Sequence, residues 1–123
     1  DDWSHSASVR AAVREINHPR FAALWDIMHT QRMFETPAES CAVLGPHIRH
    51  LHVHDGRYTA DGRKLESAAC GQGVIDHAEP LRLLRQAGFD GFASLEIILK
   101  PGEGGRSDEV LKDYAQGLKP LLG

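Results

Sequence analysis

The sequence predicts an α/β fold with a parallel sheet, and three observations carry that prediction. Short apolar runs alternate with stretches of helical period, in the order helix, strand, helix, strand, helix, strand, helix. The runs are nearly continuous in apolar residues, as in strands covered on both faces. Each run ends at or near a side chain that can do chemistry: Asp26, His52 and Glu96. The 123 residues allow one domain, and 41% hydrophobic with 25% charged residues is ordinary for a chain with a real core.

The elements follow in order. Ser6 precedes Val9, Ala12, Val13 and Ile16, whose i, i+3, i+4, i+7 spacing predicts an amphipathic helix stopped at Asn17-His18-Pro19. Phe21–Asp26 is the first strand. Thr36-Pro37-Ala38-Glu39 reads as a capping box with proline in the first turn, opening a helix that runs to Leu44 before Gly45-Pro46. Ile48–His54 is the second strand, and Asp55 to Ile75 a long glycine-rich polar segment. A helix carrying Leu81, Leu83, Leu84 and Ala87 ends at Gly88. Phe92–Ile97 is the third strand, Pro101 to Arg106 a loop, and Ser107 to about Leu118 the last helix, with Val110, Leu111, Tyr114 and Leu118 inward. Leu24, Leu51 and Val53 are expected to face the helices.

Strands joined through helices of this length are βαβ units with right-handed crossovers. Three strands make a small sheet with two bare edges, and a complete eight-stranded barrel needs ~250 residues. The pattern therefore fits either a compact three-stranded sandwich or the later part of a barrel.

Charge and composition remove several functions. The formal charge is −3, with basic residues scattered among acids, which speaks against nucleic acid as a partner. No run approaches the ~18 apolar residues of a membrane span, and Asp1-Asp2 stands where a signal peptide would be basic. Cys41 and Cys70 form neither a disulfide framework nor a CxxC pair, so a reducing cytoplasm is expected. Histidine is the outlier: eight in all, four of them between His47 and His54.

Functional groups of parallel α/β folds collect at the C-terminal ends of the strands. Asp26, His52 and Glu96 would converge there, and two carboxylates with an imidazole suit Mn2+, Mg2+, Co2+ or Zn2+ rather than a thiolate-bound metal. Each has a plainer role open to it. Asp26 could cap the following loop, His52 could sit satisfied in the core, and Glu96 could pair with a nearby base. His50, His52 and His54 share one strand face by the two-residue period, and one extended strand cannot offer all of them to one ion.

The runs around these residues are Asp26-Ile-Met-His29, His50-Leu-His52-Val-His54-Asp55, Gly71-Gln-Gly73-Val-Ile-Asp76 and Gly88-Phe-Asp-Gly-Phe-Ala-Ser-Leu-Glu96. In that order they resemble the D-x-x-H, H-x-H-x-K-D, G-x-G-x-I-D and G-Y-D-G-x-x-S-L-E patterns of the sugar phosphate isomerase/epimerase family with the xylose isomerase-like TIM barrel. The resemblance implies one domain, 1–123, that is the C-terminal part of a (β/α)8 barrel. It implies Asp26, His52 and Glu96 as ligands of a divalent metal, with His29 and Arg57 near the substrate. Glu96 would double as the acid/base that moves a proton beside a carbonyl, through an enediolate-type intermediate. His54 stands where the family has lysine, Asp55 would support the loop, and Gly71 and Gly73 would form a tight turn. The family's fourth ligand, a glutamate, sits just ahead of the segment matching Asp1-Asp2-Trp-Ser-His.

The expected activity of the complete protein is isomerisation or epimerisation of a sugar-like ketose or polyol, with little turnover by this chain alone. An endonuclease IV-type nuclease fits less well, because Leu65 and Ser67 stand where further zinc ligands would be needed. A half-barrel acting only as a self-associating fragment or binding module is the non-enzymatic alternative. On either reading the open sheet predicts self-association or pairing with the missing half-barrel.

Overall fold

The computed structural model describes residues 2–97, 102 and 106–122. A 3-10 turn, Asp2–Ser4, leads into α1 (Ser6–Ile16), β1 (Ala23–Asp26), α2 (Ile27–Arg32) and α3 (Pro37–Leu44). A second 3-10 turn, Gly45–His47, precedes β2 (Ile48–Val53), then β3 (Asp55–Tyr58), β4 (Leu65–Ala68), α4 (Ala78–Gln86), β5 (Phe92–Leu95) and α5 (Ser107–Leu122). β1, β2 and β5 form a parallel sheet in that order, and β3 and β4 a separate antiparallel hairpin. None of the described helices is long and apolar enough to cross a membrane.

The three parallel strands fall where the sequence places them, shortened at their ends. Phe21 and Ala22 stay outside β1, which ends at Asp26 as expected because that residue caps α2. Ile97 lies beyond β5, although the Glu96 N–H still donates to the Val53 carbonyl and extends the pairing by one residue. The sequence predicts four helices; the described residues form five, the additional one being the short α2. The segment from Asp55 to Ile75 is not loop throughout, since it contains the β3–β4 hairpin. Most of the expected loop from Pro101 to Arg106 lies outside the described residues.

The register sorts the sheet into two faces. Trp25 pairs with Leu51 in one cross-strand row, and Leu51 and Val53 are fully buried beneath the helices. They pack with Val13 of α1, Leu44 of α3, Leu81 and Leu84 of α4, and Tyr114 and Leu118 of α5. The opposite face carries Leu24, His50 and Phe92 in one row and Asp26, His52 and Ser94 in the next. Leu24 therefore does not face the helices as expected: it is one residue out of phase with Trp25 and is 45% exposed.

Glu35, in the connection between α2 and α3, holds the helical layer together. One of its oxygens accepts from the Ser6 N–H at the start of α1, and the other from the Ser40 hydroxyl in α3. The predicted capping box of α3 is present in full, with Thr36 and Glu39 bonded reciprocally. Gly117 lets α5 come down on the chain at Cys70, where a Cβ would collide with the Cys70 carbonyl oxygen.

Candidate functional site

Parallel pairing brings the ends of β1, β2 and β5 level, and the side chains of one face meet there. Asp26, the last residue of β1, uses its two oxygens differently. Oδ1 accepts from the Met28 and His29 N–H groups at 2.9 and 3.0 Å, capping α2. Oδ2 is buried and has no hydrogen-bond partner among the described residues. His29 Nε2 lies 3.8 Å from it, and His52 Nδ1 lies 4.0 Å from it. The capping and ligand readings of Asp26 are thus compatible, one to each oxygen.

Glu96 completes the group. Its Oε2 is 3.2 Å from His52 Nδ1 and 3.8 Å from His54 Nδ1. One donor atom from each of Asp26, His29 and Glu96 falls within 4.8 Å of the other two. Burial pushes the Asp26 carboxyl above its usual range, and the neighbouring Glu96 carboxylate adds to this. The Asp26 carboxyl, and His52 beside it, hold Glu96 below its own range. Burial also lowers the His54 pKa, outweighing the pull of the nearby Asp26 and Glu96 carboxylates.

The structure thus brings Asp26, His29, His52 and Glu96 together. Arg57 is not among them: it lies exposed on β3, and its Nε donates to the Gln72 carbonyl. His50 meets Ser94 Oγ at 2.7 Å, one row further from the strand ends. Asp55, expected as a loop support, accepts from the N–H groups of Gly56, Gly71, Gly73 and Ile75. A Cβ on Gly73 would lie 2.0 Å from Asp55 Oδ1, so this turn is closed around the carboxylate and leaves no cradle for phosphate. His77, buried and bonded to the His54 carbonyl, escaped the sequence reading, and no spacing signal marks it.

The donor set fits a divalent cation. An unpartnered buried carboxylate oxygen faces two imidazoles and a second carboxylate, and a cation is the partner that would satisfy all of them. A cleft of about 170 Å3 beside the cluster is lined by Trp3, His5, Leu24, Asp26 and His29, among others. That is smaller than the ~300 Å3 and above of ordinary ligand pockets. A larger cavity of about 580 Å3 lies at the other end of the strands, lined by Arg14, His18, His47 and Arg49 but by no carboxylate.

The family described as "Xylose isomerase-like TIM barrel" matches residues 2–120. An uncharacterized protein of Methanocaldococcus jannaschii is 30% identical over 112 residues, 89% of this chain and 36% of its own. The zinc-binding IOLI protein superposes with a TM-score of 0.76 at 19% identity, over 94% of this chain and 42% of that one. D-psicose 3-epimerase in the presence of D-fructose gives 0.72 at 17% identity, over 98% and 45%. At such identities the two structures speak for the fold. The chain spans less than half the length of each of these relatives.

Proposed function

The chain belongs to the xylose isomerase-like TIM barrel family, and from that premise we propose that it carries the metal-binding and proton-transfer part of a sugar isomerase or epimerase. The observation that supports this best is the meeting of Asp26, His29, His52 and Glu96 at the ends of neighbouring strands, around an unpartnered buried oxygen. Asp26, His52 and Glu96 would hold a divalent cation. When bound, such a cation supplies Lewis acidity toward a carbonyl and its neighbouring hydroxyl.

The rest falls to the side chains. Glu96 is ionised and partly open to solvent, so it can take a proton from the carbon next to the carbonyl and return it. His29 reaches the same point from α2 and would hydrogen-bond a substrate oxygen, with Arg57 as a more distant contact from the hairpin. An open-chain ketose or similar polyol is the substrate class, in keeping with the psicose and 3-keto-glucoside epimerases that share the fold. Both free thiols fit a cytoplasmic setting.

The family pattern places a fourth ligand and second proton-transfer group, a glutamate, ahead of the segment at Asp2–His5. Loss of one general acid/base costs about 10²–10⁴ in rate. Deuterium exchange at the carbon beside the carbonyl of a ketose, with Mn2+ or Co2+ present, tests the reading. The 123-residue chain should exchange slower by about that factor than a chain extended through the upstream strand, or than one mixed with the N-terminal half-barrel. In the extended chain Glu96→Gln should suppress exchange more than His54→Gln. Equal rates for the short and extended chains would refute the shared-ligand, two-base assignment.

A further inference from the structure

Two buried side-chain atoms lack a hydrogen-bond partner among the described residues, Asp26 Oδ2 and His54 Nδ1. The cluster accounts for the first; the second has no role yet. His54 is 1% exposed, one residue past β2, and its Nδ1 faces Glu96 Oε2 at 3.8 Å. The ring is held from behind. Its Nε2 meets Ser67 Oγ of β4 at 3.1 Å, and the His54 carbonyl accepts from His77 Nε2 at 3.2 Å. The adjoining Asp55 ties the backbone to the Gly71–Ile75 turn.

The surroundings select a tautomer. A bare nitrogen lone pair of a buried ring aimed at a carboxylate is repulsive, whereas an N–H there is attractive. Nδ1 therefore carries the proton, which leaves Nε2 to accept from the Ser67 hydroxyl, a group able to donate. In the structure Glu96 has another partner, His52 Nδ1 at 3.2 Å. A histidine that ligates a cation through Nδ1 must present its lone pair there, so that bond to Glu96 would be given up. From 3.8 Å, less than about 1 Å of travel brings Glu96 into a hydrogen bond with His54.

We propose that His54 is a positioning residue, an Nδ1–H donor with its tautomer set by Ser67, which holds the Glu96 carboxylate when His52 is engaged elsewhere. This rests on His52 and Glu96 serving the metal centre described above. The β3–β4 hairpin, through Ser67, then helps to aim the base.

Nitrogen-15 spectra of histidine-labelled, metal-free chain show which ring nitrogen of His54 bears the proton, its signals assigned by their loss in His54→Asn. The expected state is Nδ1–H, moving toward Nε2–H in Ser67→Ala, a change on an exposed strand position that leaves the core intact. An Nε2–H tautomer in the unmodified chain overturns the proposal. Calorimetric titration with Zn2+ supplies the second readout. His54→Leu should bind about 10–100-fold more weakly, while His54→Asn, whose amide keeps a donor near the Nδ1 position, stays within about threefold. Equal affinity of His54→Leu and the unmodified chain overturns the positioning role. If the unmodified chain takes up no zinc, the metal centre itself falls, and the tautomer alone decides for or against His54.

Discussion

Asp26 shows how one side chain can serve structure and chemistry separately. Asparagine in its place keeps an oxygen to cap α2 and puts an amide where the unpartnered oxygen now lies, within reach of Glu96. The substitution removes a buried ionisable group, and burying charge is unfavourable. Asp26→Asn should therefore match or exceed the parent's thermal midpoint in chelator, yet lose the upward shift that a divalent metal gives the parent. Scanning calorimetry with and without Zn2+ makes the comparison, and a metal-induced shift as large as the parent's would remove Asp26 from the ligand set. The place of Asp26 at a strand end was legible in the sequence from the apolar run that precedes it. The division of labour between its oxygens was not, because residue spacing says nothing of which way a carboxylate turns.

At the scale of elements, the helices depend on a few specific contacts. Burial pushes the Glu35 pKa upward, but hydrogen bonds from Ser6, Ser40 and His5 outweigh it and hold the carboxyl below its ordinary value. A depressed carboxylate stabilises the fold fully above its unfolded pKa and loses that contribution as pH falls through the folded one. Glu35→Gln should cost about 1–3 kcal/mol at neutral pH, the worth of hydrogen bonds to a charged group. The gap between parent and variant should narrow below about pH 4, as denaturant titrations at several pH values would reveal. A gap that widens on acidification would contradict this.

Gly117 offers a second test on the same layer. Alanine for glycine inside a helix ordinarily gains up to ~1 kcal/mol. Here the new methyl would collide with the Cys70 carbonyl, so Gly117→Ala should instead lose about 1–3 kcal/mol as α5 lifts away. Cys70, buried in the parent, should then react faster with a thiol reagent. Unchanged stability and labelling would mean that α5 docks elsewhere. The long helices and buried strands were readable from period and caps. Helix α2 was not, because its six residues carry no full apolar stripe and continue the run that marks β1. The hairpin escaped for a related reason: the outer residues of β3 and the middle two of β4 are exposed, so neither shows the alternation of a half-buried strand.

Over the whole molecule, the helix-covered face of the sheet is closed and the other face is open. Phe92 is 79% exposed and Leu24 45%, in one cross-strand row with His50 between them, and β1 and β5 are the outer strands. Apolar side chains beside unpaired strand edges favour association. Sedimentation velocity should show a concentration-dependent shift toward dimers at about 10–100 μM, within the reach of modest apolar burial. Phe92→Ser should return the chain toward monomer without loss of helical signal. A parent that sediments as a monomer throughout this range would rule out association through this face. The alternation of β with α revealed the sheet and the site's end of it. It could not tell which apolar strand residues lie under helices, since a run apolar throughout, such as Phe21 to Trp25, gives no phase.

The cap on α2 has a consequence for how this sequence can vary. One oxygen of Asp26 is bonded to the backbone N–H of His29, and the other faces the ring of that same residue. The carboxylate and the imidazole are therefore geared through a single turn of helix, and the two intervening positions act as a ruler. Ile27 and Met28 can be exchanged for other apolar residues of similar volume, because their side chains only fill the interior. Their number cannot change. Deleting either one, or inserting a third, would strip the helix of its cap and rotate His29 away from the carboxylate in the same stroke, so this short stretch should tolerate substitution but not a shift in length.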